Sequence, residues 1–295
     1  MKKLPENAIL YKPEEGTEIT AVVQLVHGMT EHQLRYAHFA EYLAGEGIAT
    51  VTSDLRGHGE NVGREEELGY FGDNGAANLV SDVHEITRCI RENYPDIPYY
   101  IYAHSMGTLI STVYLKKYDS FIDGIFLSGM PYKNPAVRLG LLLVNILTTL
   151  KGEYHRSNLV SSMVTGAFAR RFKNDGSPYA WLSSDSDVWK KYSEDSKCGF
   201  TFTLNGYKTL LELMQGAYGK SSWTVKNTDI PVRLLAGGDD PCAGGKKKFL
   251  KTVAMFKKAG YTDVEYRLWP GLRHELHNET SQKELFDYVV SEIKR

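Results

Sequence analysis

Apolar and polar positions alternate along the chain in a regular rhythm of short runs and amphipathic stretches. Residues 18–26 are partly alternating and then nearly continuously apolar, which predicts a strand ending at His27-Gly28-Met29-Thr30. Residues 34–45 carry helical periodicity and are closed by Gly45 and Gly47. The β-branched run 48–52 predicts a second strand, leading into Asp54-Leu55-Arg56-Gly57-His58-Gly59. Residues 60–76 are polar and glycine-rich, hence a loop, and Leu79, Val83, Ile86 and Ile90 then mark a helix ending near Tyr94-Pro95. Tyr99–Tyr102 is a strand that stops at Ala103-His104-Ser105-Met106-Gly107, with a helix from Thr108 and a further short strand over 122–128.

The rhythm breaks at Gly129-Met130-Pro131 and resumes at a strand over 231–236. A helix over 246–259, a strand over 263–269 and a final helix over 281–293 follow. Between the two rhythmic parts the chain is rich in Ser, Tyr, Trp and Arg, with apolar helical pieces at 139–150 and 159–168 and no clear strand. Strands alternating with helices over short connections predict an α/β fold: a mainly parallel sheet flanked by helices. Its core is formed by residues 1–130 and 229–295, with residues 131–228 as an inserted helical cap. In such sheets ligands bind beyond the carboxyl ends of the strands. The unusual loops 27–30, 54–59, 103–107, 237–242 and 270–277 all fall at such ends, so the pattern predicts a single site.

Composition narrows the class. The chain has 295 residues with 35 Lys plus Arg against 36 Asp plus Glu, so bulk charge implies neither nucleic acid nor an anionic surface as partner. Lys246-Lys247-Lys248 and Lys257-Lys258 read as solvated helix faces. Cys89, Cys198 and Cys242 are far apart, show neither metal spacing nor a disulfide framework, and suit a reducing compartment. Met-Lys-Lys-Leu-Pro-Glu-Asn has no apolar stretch after its lysines, and the apolar run 139–150 is too short to span a bilayer, so the expected location is cytoplasmic.

The candidate chemistry starts at residues 103–107. A strand, a turn of small residues, a Ser at its apex and a helix behind it suggest a nucleophile elbow, with Ala103 in the −2 place where Gly is commoner. A Ser hydroxyl needs a base, an acid that orients the base, and donors for an oxyanion. His274 and His277 follow the last predicted strand, where the base belongs in the order Ser, Asp, His. His274 comes sooner after the Pro270-Gly271 turn and is preferred, which leaves His277 as helix-start surface. His104 adjoins Ser105, but neighbours on a tight elbow point apart. Gly237-Gly238-Asp239-Asp240-Pro241 supplies the acid. Asp240 is preferred, with Asp239 left to cap the following turn or helix. The backbone N–H groups of Met29 and Met106 are the expected oxyanion donors, Gly28 allowing close approach. Arg56, His58 and Cys242 read as structural. No metal or organic cofactor is required by this chemistry.

Several stretches together resemble a known family. They are 26–32 (Val-His-Gly-Met-Thr-Glu-His) with Arg35-Tyr36, then Asp54-Leu55-Arg56-Gly57-His58-Gly59, then 103–107, 237–241 and Gly271-Leu272-Arg273-His274-Glu275. The sequence resembles the α/β-hydrolase branch that holds monoacylglycerol lipases, lysophospholipases and serine aminopeptidase-like proteins. The resemblance implies Ser105 as nucleophile, Asp240 as acid, His274 as base, Met29 and Met106 at the oxyanion positions, and a cap over the site.

The expected function is therefore hydrolysis of a small-molecule carboxylic ester through an acyl-enzyme. The surplus of apolar residues from Leu139 to Leu150 favours an acyl chain, as in a monoacylglycerol or lysophospholipid, with transient lipid contact. Tyr179, Trp181 and Trp189 are candidate lining residues. A short-chain carboxylesterase and an aminopeptidase-like serine peptidase are the alternative enzymes, and a binding module on an inactive hydrolase fold is the alternative outside enzymes. Oligomeric state is not expected to be legible.

Overall fold

The computed structural model of the chain describes residues 3–219 and 223–295. Five of its strands are buried at every position: β2 (Ala21–Val26), β3 (Ile48–Ser53), β4 (Tyr99–His104), β5 (Gly124–Ser128) and β6 (Val232–Gly237). Such strands must be covered on both faces, which is why they read as apolar runs rather than as alternation. With β1 (Ala8–Tyr11) and β7 (Val264–Trp269) they form one seven-stranded sheet of order β1-β3-β2-β4-β5-β6-β7. Every neighbouring pair is parallel except β1 with β3.

Successive side chains on each strand point to opposite faces. Val23, Leu25, Tyr100, Tyr102 and Phe126 pack with α1 (Ala37–Gly45) and α10 (Gln282–Ile293). Val22, Ile101, Ala103, Ile125 and Leu234 pack with α2 (Gly75–Asn93), α3 (Met106–Tyr118) and α9 (Lys246–Ala259). The chain leaves β2 for β3 on one side and returns to β4 on the other. The crevice at the carboxyl ends of β2 and β4 is therefore a switch point of the sheet, where ligands bind in open α/β folds.

Between β5 and β6 the chain forms α4 (Val137–Lys151), α5 (Asn158–Val164), α6 (Gly166–Arg171), α7 (Ser186–Glu194) and α8 (Leu204–Tyr218), with no strand among its described residues. Helix α8 packs on α3 and carries α4 on its outer side, which bridges the insertion to the sheet.

Five local expectations change. β1 was not anticipated: it is a four-residue antiparallel edge strand, too short and too exposed for alternation to show. β2 starts at Ala21, because pairing with β3 begins there and pairing with β4 one residue later, at Val22. The helix expected over 34–45 is a 3-10 turn, Gln33–Tyr36, followed by α1, and the piece expected over 159–168 is split into α5 and α6 at Thr165. At the elbow, β4 runs on to His104 and α3 starts at Met106, so the turn is the single residue Ser105.

Candidate active site

The one-residue turn explains the strain at its apex. Ser105 has φ 49° and ψ −117°, a region a non-glycine residue occupies only when its surroundings enforce it. Its N–H donates to the Ser128 carbonyl at 3.0 Å, and its own carbonyl accepts from the Thr108 hydroxyl at 2.6 Å. At +2, Gly107 is required by space: a Cβ there would lie 2.3 Å from the Val26 oxygen and 2.6 Å from the His27 oxygen. At −2, Ala103 lies wholly in the core, so its methyl is accommodated.

β6 and β7 end side by side and bring the loops of the candidate acid and base together. The Gly238 N–H donates to the Trp269 carbonyl at 2.7 Å and the Asp239 N–H to Leu272 at 3.0 Å. A Cβ on Gly237 would lie 2.1 Å from the Arg273 oxygen, so only glycine permits that approach. Across this junction the Asp240 Oδ2 atom lies 3.0 Å from His274 Nδ1, while Oδ1 accepts from the Cys242 N–H at 2.7 Å. Asp239 instead points outward, 3.3 Å from Arg171. The His274 ring is buried, and its Nε2 atom has no hydrogen-bond partner. Burial alone would lower its pKa, but the charge and hydrogen bond of Asp240, with Glu275 and Glu31 behind, outweigh it and raise the pKa above the usual histidine value. Gly129, at φ 64°, makes room for the ring: a Cβ there would come within 3.0 Å of it.

The loop after β2 is held almost entirely by side chains. His27 Nε2 accepts from the Leu55 N–H at 2.9 Å, and His58 Nε2 accepts from the Thr30 N–H at 3.2 Å. The Gly28 N–H donates to Glu31 Oε1 at 2.6 Å. Among the amides of residues 28–30, this leaves the Met29 N–H free for a ligand. The Met106 N–H opens α3, where first-turn amides have no partner within the helix. Burial keeps His58 well below the ordinary histidine pKa, and it lowers His27 despite nearby carboxylates.

Ser105, His274, Met29 and Met106 all line a cavity of about 250 Å³ beneath the insertion. Its far wall is apolar and comes from α4, α5, α6 and α8: Leu143, Val144, Val160, Met163, Phe168, Leu211 and Met214. Trp181 lies 4.9 Å from the His274 ring, centroid to centroid. The segment carrying it is pinned to the loop of His274: the Glu275 N–H donates to Leu182 O at 2.7 Å, and Glu279 accepts from Ser183 and Ser184. Of the other two aromatic candidates, Tyr179 packs beside Leu182 and Tyr192 in a small separate cluster, and neither it nor Trp189 lines the cavity. The apolar surplus of α4 divides by position. Leu143 and Val144 face the cavity, Leu141 and Leu147 pack on the core, and Leu139, Leu142, Ile146 and Leu150 are exposed.

His277 is not surface, as expected from sequence, but fully buried, because its ring stacks on Tyr36 at 4.3 Å and meets His104 edge-on at 4.9 Å. Arg56 pairs with Asp82 at 2.7 Å. Cys242 is packed, and burial pushes its thiol pKa up. His32, Asp195 and Cys198 bring ligand-type atoms within 4.8 Å of one another, as do Asp240, Cys242 and His274. In both groups the histidine already bonds the carboxylate, at 2.8 and 3.0 Å. Among the residues without an assigned role, Glu31 and Glu275 line the cavity and Arg35 bonds both of them. All three lay inside family-like stretches of the sequence, and nothing local marked them as partners.

The family model of the serine aminopeptidases, S33, matches residues 17–281. The chain belongs to this family of α/β-hydrolases. It is 25% identical over 281 residues to a monoacylglycerol lipase of Mycolicibacterium smegmatis, covering 94% of this chain and 89% of the relative. It is also 25% identical over 280 residues to an abhydrolase domain-containing protein of Dictyostelium discoideum, covering 93% of this chain but spanning only 26% of that longer relative. Among solved structures, a thermostable carboxyl esterase from Bacillus coagulans in complex with glycerol superposes with a TM-score of 0.89 at 25% identity, covering 100% of this chain and 96% of that one. Among the described residues, no helix is long and apolar enough to cross a membrane.

Proposed function

We propose that the protein is a serine hydrolase that cleaves neutral acylglycerol-type esters through an acyl-enzyme. The observation that carries the reading is the buried His274, bonded to Asp240 through Nδ1 and unpartnered at Nε2, in the same cavity as the strained Ser105. Asp240 holds the tautomer that leaves Nε2 free to take the Ser105 proton and balances the imidazolium that results. The Ser105 oxygen attacks the ester carbonyl, whose developing oxyanion is held by the Met29 and Met106 amides. His274 protonates the departing alcohol and then activates water to release the acid.

The cavity supports one substrate class over the others. Its apolar wall suits an acyl chain. Glu31 and Glu275 line it, and among the described residues no Lys or Arg does, so a phosphate would enter without a counter-charge. This favours a glyceride over a lysophospholipid. Both oxygens of each carboxylate already accept hydrogen bonds, Glu31 from the Gly28 N–H, Tyr36 and Arg35 and Glu275 from Arg35 and Asn278, which disfavours either as a direct anchor for the free amine of a peptide. The similarity to a carboxyl esterase supports a short-chain carboxylesterase as the second reading. The exposed Leu139, Leu142, Ile146 and Leu150 of α4, together with the exposed Leu159 and Met163 of α5, give the insertion apolar surface for transient contact with lipid aggregates.

Turnover of a medium-chain monoacylglycerol beside the matching lysophosphatidylcholine, a p-nitrophenyl acetate and an aminoacyl amide tests the reading. The glyceride should be turned over fastest, and Ser105→Ala should lower its kcat by at least ~10⁴-fold without loss of fold. Equal or faster turnover of the lysophospholipid or the amide refutes the substrate class. Wild-type rates in Ser105→Ala refute the mechanism.

A further inference from the structure

Three buried charges join the two loops that flank the cavity. Glu31 Oε1 accepts from the Gly28 N–H at 2.6 Å and from the Tyr36 hydroxyl at 2.9 Å, and its Oε2 accepts from Arg35 at 2.6 Å. Arg35 donates onward to both oxygens of Glu275, at 2.8 and 2.6 Å, and Asn278 donates to Glu275 at 2.9 Å. The side chains are 3%, 11% and 2% exposed in that order, and Tyr192 covers the guanidinium at 4.9 Å. Glu31 thereby fixes the residue before Met29, and Glu275 is the residue after His274.

The chain of charges is unbalanced: two carboxylates share one guanidinium, leaving a net −1 out of water. A clamp between loops needs only one carboxylate per cation, and a surplus buried charge is costly unless a positive partner lies within reach. The groups facing His274 supply the ledger. Asp240 and Cys242 come from the loop after β6, His104 from the end of β4, Glu31 from the loop after β2, and Glu275 and His277 from its own loop, with Arg35 behind the two glutamates and bonded to both. Burial holds His104 and His277 well below the usual histidine pKa and Cys242 well above the usual thiol value, so those three are uncharged at neutral pH.

We propose that Glu31, Arg35 and Glu275 act as one positioning unit for the reaction, setting the Met29 amide against His274 and lending its surplus negative charge to the His274 imidazolium. The proposal rests on the assignment of His274 as base. Arg35 sets the register of the two loops through its bidentate grip on Glu275, a geometry a lysine cannot reproduce. Glu275 supplies the charge. Glu31 divides its oxygens between the two tasks, one on the Gly28 amide and one on Arg35.

The sign of the charge separates this role from a merely structural one. The His274 imidazole is titrated by NMR in the full-length, ¹⁵N-histidine-labelled protein, with Asp240→Asn identifying its resonance, so no substrate enters the measurement. Glu275→Gln should lower the His274 pKa by about one unit. Arg35→Met should raise it by a similar amount. The double variant Arg35→Met/Glu275→Gln restores the net −1 and should return the pKa close to wild type. Arg35→Lys, which keeps the charge and is the milder test should Arg35→Met not fold, should leave the pKa in place but lower the plateau kcat on p-nitrophenyl butyrate about tenfold with KM little changed. Shifts of one sign in both single variants, no shift in either, or wild-type kcat in Arg35→Lys would overturn the proposal. Failure of the glyceride reading shows up separately, as absence of turnover in a protein whose titration follows these signs.

Discussion

Replacing Val160 with Phe places four more heavy atoms at the buried end of α5, where the valine side chain lines the cavity and is 3% exposed. At about 30 Å³ for each methylene-sized group, a cavity of about 250 Å³ accommodates roughly eight. The wild-type protein should therefore show kcat/KM rising along a p-nitrophenyl ester series to about eight carbons and then levelling. Four added atoms occupy roughly half of that space. At ~0.8 kcal/mol per buried methylene, the variant should lose about 3 kcal/mol of transition-state binding for an eight-carbon chain, or roughly 200-fold in kcat/KM. Its optimum should move to about four carbons, and its rate on the acetate should stay within about twofold of wild type, because Ser105, His274 and Asp240 are untouched. Overpacking costs typically ~1–3 kcal/mol of stability, so melting is recorded alongside. An unchanged chain-length optimum, or an acetate rate that falls as far as the octanoate rate, would show that this wall does not hold the acyl chain.

Two other expectations follow from the same geometry. Leu142→Asp/Ile146→Asp charges the exposed stripe of α4, where these side chains are 57% and 50% exposed. It should reduce co-sedimentation with phosphatidylcholine vesicles and lower turnover of emulsified glyceride at least ~10-fold, while soluble p-nitrophenyl acetate is hydrolysed at close to the wild-type rate. A parallel loss on the soluble ester would assign the stripe to folding instead. Acid should weaken the fold through its buried histidines: His27, His58, His104 and His277 all have pKa values lowered in the folded state, chiefly by burial. The unfolded chain takes up those protons below about pH 6.5 while the folded chain resists, so the stabilisation is present above that value and is lost as pH falls toward the depressed folded values, by up to ~1.4 kcal/mol per pH unit for each group. His274, with its raised pKa, contributes in the opposite sense. Melting temperatures between pH 7 and 5 measure the balance, and a flat profile would refute it.

The sheet and the identity of its loops were legible because both depend on local pattern. Fully buried parallel strands must be apolar runs, and the loops at their carboxyl ends carry the glycines that close approach demands, as Gly107 and Gly237 show. The choice of Asp240 over Asp239 was a matter of pattern until the fold turned one toward His274 and the other to the surface. β1 escaped notice because an edge strand of four half-exposed residues has no periodic signature. His277 read as surface because nothing next to it in sequence reveals that Tyr36, more than two hundred residues earlier, stacks on it.

Sequence by itself determined the parallel core and the elbow at Ser105, and it marked the loops that carry the candidate acid and base, since strand burial, turn sterics and chain order are consequences of neighbouring residues. Tertiary structure alone decided the rest. It split the apolar surplus of α4 between cavity, core and solvent, since which face of a helix is covered depends on what packs against it. It brought Glu31, Arg35 and Glu275 into one buried chain, because a charge pair spanning 240 residues is specified by how the sheet orders its strands and not by any stretch of the sequence.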